Sequence, residues 1–369
     1  MKGIPSTKAD KVYLKRGLAA LWRSESQAQI GFEPRIARMI TLGGPSEFSL
    51  IEALCTDHSL PQLRGIMTRA HGDLARVDEL VGELTDGGAL LNRARQSDHA
   101  RIPVNAREFL APSAESRALL RPDDGWPELA RLNESTVHVI GLGRTGARIA
   151  TVLATSGVGR LRLTDSTLVS RRDCGLDYGF EDVGRPRDVA LKERIRSLPC
   201  SGITSIGPPM DDDATVLVDP DVFDIVRARD LVYNGVPHLS VILSETSITV
   251  GPWVTPGDGP CLRCIALHRT DMDSAWPAMA TQLSASSAVA GRGDDSVLSA
   301  LAGAYAAGQI ISALTNHTPP CSGTTISFHL PDFSTSATSW PPHPECGCIA
   351  PAPDDAVLDA AQEPAPLLA

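Results

Sequence analysis

The sequence is poor in aromatic residues, in long apolar runs and in positive charge. Aromatic residues make up 4% of the 369 residues, so the core must be built mainly from aliphatic side chains. The net charge of −10 argues against non-specific binding to nucleic acid or to an anionic membrane surface. Apolar runs stay shorter than the roughly 18 residues that a membrane-spanning helix requires. Residues 1–8 lack the apolar stretch of a secretion signal, which predicts a cytoplasmic protein with reduced thiols.

Four of the eight cysteines form two short-spaced pairs that lie about eighty residues apart. Cys261 and Cys264 form a C-x-x-C pair, and Cys346 and Cys348 form a C-x-C pair. Because Zn²⁺ binds four thiolates tetrahedrally, the two pairs predict one structural zinc site that closes the domain between them. Four ordinary thiols and a redox C-x-x-C are the alternatives, and the redox motif requires a thioredoxin-like unit that the pattern does not show. The other four cysteines are interpreted as buried or incidental thiols: Cys55, Cys174, Cys200 and Cys321.

Residues 1–92 are predicted to form a small α+β unit. Its elements are two strands at 27–32 and 37–42, three amphipathic helices at 46–54, 60–70 and 74–84, and a return strand at 87–91. Strands combined with three short helices are typical of a winged-helix-like domain, which binds DNA or peptides. The net negative charge of the chain favours a peptide ligand over DNA. Residues 93–133 contain four prolines and are predicted to be a linker with one or two short helices.

Residues 134–348 are predicted to form a doubly wound, largely parallel α/β domain. Apolar strands at 136–140, 161–163, 215–218 and 239–243 alternate with helical stretches. The Ala-rich stretch 296–314 is apolar almost all round and predicts a buried helix, in which Gly303 and Gly308 allow a neighbour to approach closely. The Ala/Pro/Asp-rich residues 349–369 are predicted to be a disordered tail.

A glycine-rich turn follows the first of these strands and opens a helix. Gly141, Gly143 and Gly146 form G-x-G-x-x-G, and Asp165 ends the next strand, 19 residues after Gly146. Such glycines let phosphate approach backbone N–H groups at a helix N-terminus, and the acid accepts ribose hydroxyls. The pattern predicts a Rossmann-type nucleotide fold. Glycines kept only for strand–helix packing are the alternative, and a nicotinamide oxidoreductase would leave the cysteine pairs unexplained.

The glycine loop, the acid after the second strand, the Ala-rich helix and the split cysteine pairs resemble the ThiF/MoeB family over residues 134–348. These relatives of the ubiquitin-activating enzymes adenylate the C-terminal carboxylate of a small protein or peptide. The resemblance implies a homodimer and ATP–Mg²⁺ as a cofactor beside structural Zn²⁺. It assigns the zinc to the two cysteine pairs, the phosphates to the three loop glycines and the ribose to Asp165.

Several positions depart from the family pattern. A second acid expected two residues after Asp165 is Thr167, and the segment 170–176 lacks the family's Asn and Arg-Gln pair at their usual spacing. Arg187 stands where the family has Lys, which keeps the charge but changes its geometry. Asp221 could be the late metal-binding acid or a helix cap. Arg187 and Asp221 are therefore the catalytic candidates, and weak or absent turnover is expected.

The N-terminal unit resembles the RiPP recognition element that precedes a ThiF-like domain in partner proteins of ribosomal peptide pathways. The resemblance implies that the leader of a precursor peptide adds to strand region 27–42 beside the helix from Leu74. The ThiF-like domain would then present the peptide to a separate YcaO-type cyclodehydratase. The favoured function is thus peptide binding and presentation. The alternative is an ATP-dependent adenylyltransferase that activates the C-terminus of a ubiquitin-like protein or a peptide.

Overall fold

The computed structural model describes residues 11–93, 102–202, 204–206, 211–285 and 295–349 of the chain. The chain divides into two compact units. The first contains residues 1–134 together with 154–159 and 198–205, and the second contains 135–153, 160–197 and 206–369. The predicted disordered tail lies outside the described residues, apart from Ile349.

The first unit begins with short strands and three helices. Its elements are β1 Lys11–Leu14, β2 Ala20–Ser24, β3 Gln27–Ile30, β4 Arg38–Thr41, α1 Pro45–Leu54, β5 His58–Ser59, α2 Leu60–Arg69, α3 Ala75–Asp86 and β6 Leu90–Asn92. They form two three-stranded sheets, with strand orders β5-β1-β6 and β2-β3-β4. The helices and strands β3, β4 and β6 occur where the sequence predicts them, whereas β1, β2 and β5 were not predicted. The helices bury the apolar positions that recur at helical spacing, such as Leu50, Leu63 and Leu80.

The segment that was predicted as a linker with one or two short helices contains two helices, α4 Val104–Ala118 and α5 Trp126–Glu134. Leu110 and Leu129 are fully buried, so these helices contribute to a core. The Lys15 ammonium is buried and donates to the carbonyl oxygens of Ala118, at 2.8 Å, and of Arg121. A cation at the C-terminal end of α4 is favourable because the helix dipole is negative there. Residues 102–134 therefore belong structurally to the first unit.

The chain from residue 136 onward builds one eight-stranded sheet and its helices. The elements are β7 Thr136–Ile140, α6 Arg144–Thr155, β8 Arg160–Thr164, α7 Arg187–Arg196, β9 Ser205–Ile206, β10 Ala214–Pro220, α8 Ile225–Tyr233, β11 His238–Leu243, β12 Ser247–Val254, α9 Leu262–Met272, α10 Trp276–Ala285, α11 Ser296–Leu314, β13 Thr324–His329 and β14 Thr335–Ser339, with 3-10 turns at Phe180–Asp182 and Pro199–Gly202.

The sheet has the strand order β14-β13-β12-β11-β10-β7-β8-β9. Strands β8, β7, β10 and β11 are parallel to one another, as the alternating pattern predicts. Strands β12, β13 and β14 extend the sheet in antiparallel order and were not predicted. Because the carboxyl ends of β7, β8 and β10 meet at one edge, the loops after these strands lie together.

Helix α11 occupies the predicted range. Among the described residues it is the one helix that is long and apolar enough, by length and composition, to cross a membrane. Leu298, Ala306 and Ile310 are nevertheless fully buried, and the Tyr305 ring packs edge-on against Phe328 of β13 at 5.5 Å, as in a core helix. Gly303 lies against the Arg148 side chain, as predicted, whereas Gly308 has no described neighbour within 4 Å of its Cβ position.

Candidate functional site

The glycine loop joins β7 to α6 and is held by its own packing. Gly141 has a φ of +86°, and a Cβ there would collide with the carbonyl oxygen of Val218. A Cβ on Gly146 would likewise collide with the carbonyl oxygen of Gly141. These two glycines are therefore required for loop and strand packing, whether or not a nucleotide binds. Gly143 differs, because its Cβ position approaches only the Arg187 guanidinium, at 4.0 Å, among the described residues.

Asp165 ends β8 beside this loop, and both its carboxylate oxygens accept hydrogen bonds from the protein. One oxygen accepts from the Leu142 N–H at 2.8 Å, and the other accepts from the N–H of Thr167 at 2.9 Å and from its hydroxyl. Arg187 contacts the first oxygen at 3.3 Å. Burial disfavours the charged carboxylate, but these hydrogen bonds and the nearby charge outweigh it and hold the pKa of Asp165 below its usual value. Asp165 is thus a satisfied carboxylate in this structure.

Arg187 lies between two acids, of which the sequence analysis identified only one. Its Nη1 contacts Asp165, and its Nη2 donates to Asp173 Oδ1 at 2.6 Å. The other oxygen of Asp173 accepts from the N–H and the hydroxyl of Ser170, at 2.7 and 2.8 Å. The Tyr178 hydroxyl donates to the Leu142 carbonyl oxygen at 2.8 Å and fastens the same segment to the loop. The sequence feature that could have identified Asp173 is the acid in the Arg-Arg-Asp run after Asp165. The two arginines of that run are exposed to solvent.

The predicted late acid, Asp221, lies just beyond the end of β10 with a φ of +60°. Its N–H donates to the Leu243 carbonyl oxygen at 2.8 Å, which ties it to β11. Asp219 directly follows Val218, whose carbonyl oxygen lies against the Cβ position of Gly141. Asp219 is therefore adjacent in sequence to a residue that packs on the glycine loop. Burial raises the pKa of Asp219 to about 6, although the Asp224 N–H and Arg227 favour its charged form. Asp219 is therefore a second acid at this edge that the sequence analysis did not single out.

The four predicted zinc ligands converge at one point. Their sulfur atoms all lie within 4.8 Å of one another. The Sγ–Sγ distances are 3.4 Å from Cys261 to Cys346, 3.4 Å from Cys264 to Cys348 and 4.0 Å from Cys261 to Cys264. A tetrahedron with Zn–S bonds of about 2.3 Å has edges of about 3.8 Å, so the four sulfurs fit a zinc ion. Four thiolates leave no open position, so a metal here would be structural.

Two local features bring the sulfurs together. Cys261 is the N-cap of α9 and Cys264 lies in its first turn, so both sulfurs lie at the positive end of the helix dipole. Gly347 has a φ of +70°, which lets the two flanking cysteines face the same side of a tight turn. Arg263 donates to the Cys346 carbonyl oxygen at 3.1 Å and fixes this turn against α9.

A second group of potential ligands, His268, Asp271 and His343, is a hydrogen-bonded cluster and does not fit a metal site. The Glu345 N–H donates to His343 Nδ1 at 3.1 Å, so the proton of the neutral ring is on Nε2, which contacts Asp271 at 2.9 Å. A metal would need the lone pair of that Nε2. His268 contacts the Pro341 carbonyl oxygen at 2.9 Å, so it faces the C-terminal loop and not the glycine loop.

We expect about one equivalent of Zn²⁺ per chain in protein purified without chelator. Cys261→Ser or Cys346→Ser should lose most of this metal, since each removes one of four thiolates. Cys55→Ser, which alters an exposed thiol outside the cluster, should keep it. Elemental analysis provides the measurement, and less than about a fifth of an equivalent in the wild-type protein would contradict a zinc site.

Asp219→Asn should stabilise the protein at neutral pH. Because the folded-state pKa is raised from 3.8 to about 6, the stability associated with the protonated acid is complete below pH 4 and is lost as pH rises through 6. The variant keeps an acceptor for the Asp224 N–H and should gain about 2–3 kcal/mol at pH 7.5 and almost nothing at pH 4. Asp230→Asn on exposed α8 is the control. Equal unfolding midpoints for Asp219→Asn and wild type at pH 7.5 would contradict the burial argument.

Comparison with known proteins places this fold in a family. The sequence profile of the ThiF family matches residues 115–348. The adenylyltransferase and sulfurtransferase MOCS3 of Xenopus laevis is 29% identical over 169 residues, which are 41% of this chain and 36% of MOCS3. The molybdopterin-synthase adenylyltransferase of Escherichia coli strain K12 is 31% identical over 152 residues, which are 37% of this chain and 60% of the relative. The chain thus matches these curated relatives over only 36% to 60% of their length.

Solved structures share the fold over more of the chain. Escherichia coli MccB with ATP has a TM-score of 0.66 at 15% identity and covers 92% of this chain and 99% of MccB. The Microcin C7 biosynthetic enzyme MccB in complex with N-formylated MccA has a TM-score of 0.65 at 15% identity, with the same coverage. PaaA has a TM-score of 0.68 at 16% identity, and the match covers 87% of this chain and 98% of PaaA. The profile match covers well over half of the chain, and the chain belongs to the ThiF family.

Proposed function

We propose that this ThiF-family protein binds the leader of a ribosomal precursor peptide through its N-terminal unit and presents the peptide for modification. In this proposal the ThiF-type domain serves as a scaffold, and a separate YcaO-type cyclodehydratase carries out the chemistry. The observation that carries the scaffold role is the state of Asp165. A carboxylate that should accept ribose hydroxyls already accepts from Leu142 and Thr167 and contacts Arg187.

The peptide partner is supported by the neighbours in fold. MccB was solved with MccA, and its likeness extends over 92% of this chain, which includes residues of both units. PaaA is similar over 87% of the chain. The net charge of −10 agrees with a peptide rather than a nucleic-acid partner. We therefore propose that the N-terminal unit, predicted at residues 1–92, is winged-helix-like and binds a leader peptide.

The outer edge of β4 is the proposed docking strand. In the antiparallel β3–β4 pair the Leu42 N–H donates to the Ser26 carbonyl oxygen, so by alternation the backbone groups of Met39 and Thr41 point away from β3. Arg76 of α3 donates to the Thr41 carbonyl oxygen at 3.1 Å, which confirms that this group faces outward. Met39 is 49% exposed beside it. An extended peptide can pair with the outward groups of Met39 and contact its side chain.

An ATP-dependent adenylyltransferase is the second candidate. It is favoured by the curated relatives, which are adenylyltransferases, and by the MccB structure with ATP. In that case Gly143 would lie against the phosphates, Asp165 would release Thr167 and bind ribose, Arg187 would bind phosphate, and Asp221 would hold Mg²⁺. Zn²⁺ would remain structural in both candidates, and we propose a cytoplasmic homodimer for both.

Leader binding can be tested at β4 by fluorescence anisotropy with the fluorescein-labelled leader of a candidate precursor peptide. We expect micromolar affinity for the full chain. Met39→Pro removes the outward N–H but leaves the β3–β4 ladder intact, so it should weaken binding at least tenfold. Met39→Val keeps the N–H and should stay within about threefold of wild type.

Equal affinities for Met39→Pro and Met39→Val would contradict docking on β4. Failure of the wild-type protein to bind the leader at all would contradict the proposed function. Circular dichroism of each variant shows whether the first unit remains folded. Tight, salt-dependent binding to duplex DNA in a parallel titration would instead indicate a DNA-binding winged helix.

A further inference from the structure

Asp173 anchors the cation that lies over the glycine loop. Its side chain is 1% exposed and pairs with Arg187 at 2.6 Å, whereas the pair between Arg187 and Asp165 is longer, at 3.3 Å. Apart from its two chain neighbours, the Cβ position of Gly143 is approached within 4.0 Å only by this guanidinium among the described residues. The one loop glycine that packing does not require is therefore covered by an arginine that a buried acid holds in place.

Release of Arg187 from Asp173 would be costly. The acid would keep its two hydrogen bonds from Ser170 but lose its cationic partner while remaining almost fully buried. Removing one partner of a buried ion pair is strongly destabilising, because the remaining charge is left buried without its counter-charge. A phosphate competing for the guanidinium would have to supply this free energy. It would also approach two carboxylates that already share the Arg187 guanidinium.

We propose that Asp173 closes the nucleotide site of this protein by holding Arg187 across the glycine loop. Asp173 is then a specificity-determining residue that acts through Arg187 and excludes the triphosphate of a nucleotide. This inference deepens the proposed scaffold function and rests on it. It predicts that neutralising one carboxylate restores nucleotide affinity to a loop whose glycines are intact.

Asp173→Asn is the informative variant. The amide has the shape of the acid, its oxygen can accept from the Ser170 N–H, and Arg187 keeps Asp165 as a partner, so no buried charge is left unpaired. The Arg187 guanidinium can then bind an anion such as a nucleotide phosphate. Asp182→Asn is the matched control, because Asp182 is a buried acid in the same segment that pairs with Arg185 at 3.3 Å.

Calorimetry with ATP–Mg²⁺ on the full chain tests the proposal, with the cooperativity and midpoint of thermal unfolding as the measure of an intact fold. Wild type and Asp182→Asn should show no heat of binding at about 1 mM nucleotide, and Asp173→Asn should bind at least tenfold more tightly. If Asp173→Asn does not unfold cooperatively, Asp173→Ser takes its place with the same expectation. A midpoint of unfolding that ATP raises only in the Asp173 variant provides the second readout.

The outcomes separate the two proposals. If no variant binds ATP while all unfold cooperatively, Asp173 does not close the site, whereas the scaffold function is judged separately by leader binding of the wild-type protein. If wild type and Asp173→Asn bind ATP equally, the closure is likewise overturned. If wild type binds ATP and exchanges pyrophosphate, the proposed scaffold function fails as well.

Discussion

One arginine shared by two carboxylates determines the state of the glycine loop. Arg187 begins α7 and lies between Asp165, at the end of β8, and Asp173, in the loop that follows. Its own N–H donates to the Thr167 carbonyl oxygen at 2.9 Å, and Tyr178 links the same region to Leu142. The backbone around the loop and the charges above it are thus one network. A ligand that binds at this loop must break several hydrogen bonds that the protein already makes and replace them with its own.

The cysteine cluster stabilises a different part of the fold. It joins the start of α9 to residues that follow the last antiparallel strand, β14, so it closes the chain between them. Burial raises the pKa of Cys261 to about 11, and a metal would favour its thiolate over the neutral thiol. The cluster has no open coordination position. The two candidate centres therefore have different roles. The cysteine cluster would stabilise the fold, and the surroundings of the glycine loop would determine whether a nucleotide can bind.

The sequence predicted much of what depends on local pattern and left out contacts between residues distant in the chain. The three helices of the first unit, α11 and the parallel strands follow from apolar periodicity, and the four cysteines follow from their spacing. Strands β12 to β14 were missed although β11–β12 and β13–β14 pair as local hairpins, and only the β12–β13 pairing joins partners distant in sequence. Residues 93–133 are predicted to be a linker with one or two short helices because the segment contains four prolines, although one of them, Pro112, lies inside α4. Asp173 was missed since its importance comes from contact with Arg187, 14 residues away.

Pyrophosphate exchange with the full chain, ATP–Mg²⁺ and the precursor peptide tests the account most directly. A scaffold with a closed nucleotide site should give no exchange above the protein-free control, with peptide present or absent. Loss of a single transition-state contact commonly reduces rates about 10²–10³-fold, and here both acid and cation are engaged elsewhere. Robust, peptide-dependent exchange that disappears in Asp165→Ala and Arg187→Ala would show that the protein is a working adenylyltransferase and would contradict the scaffold account.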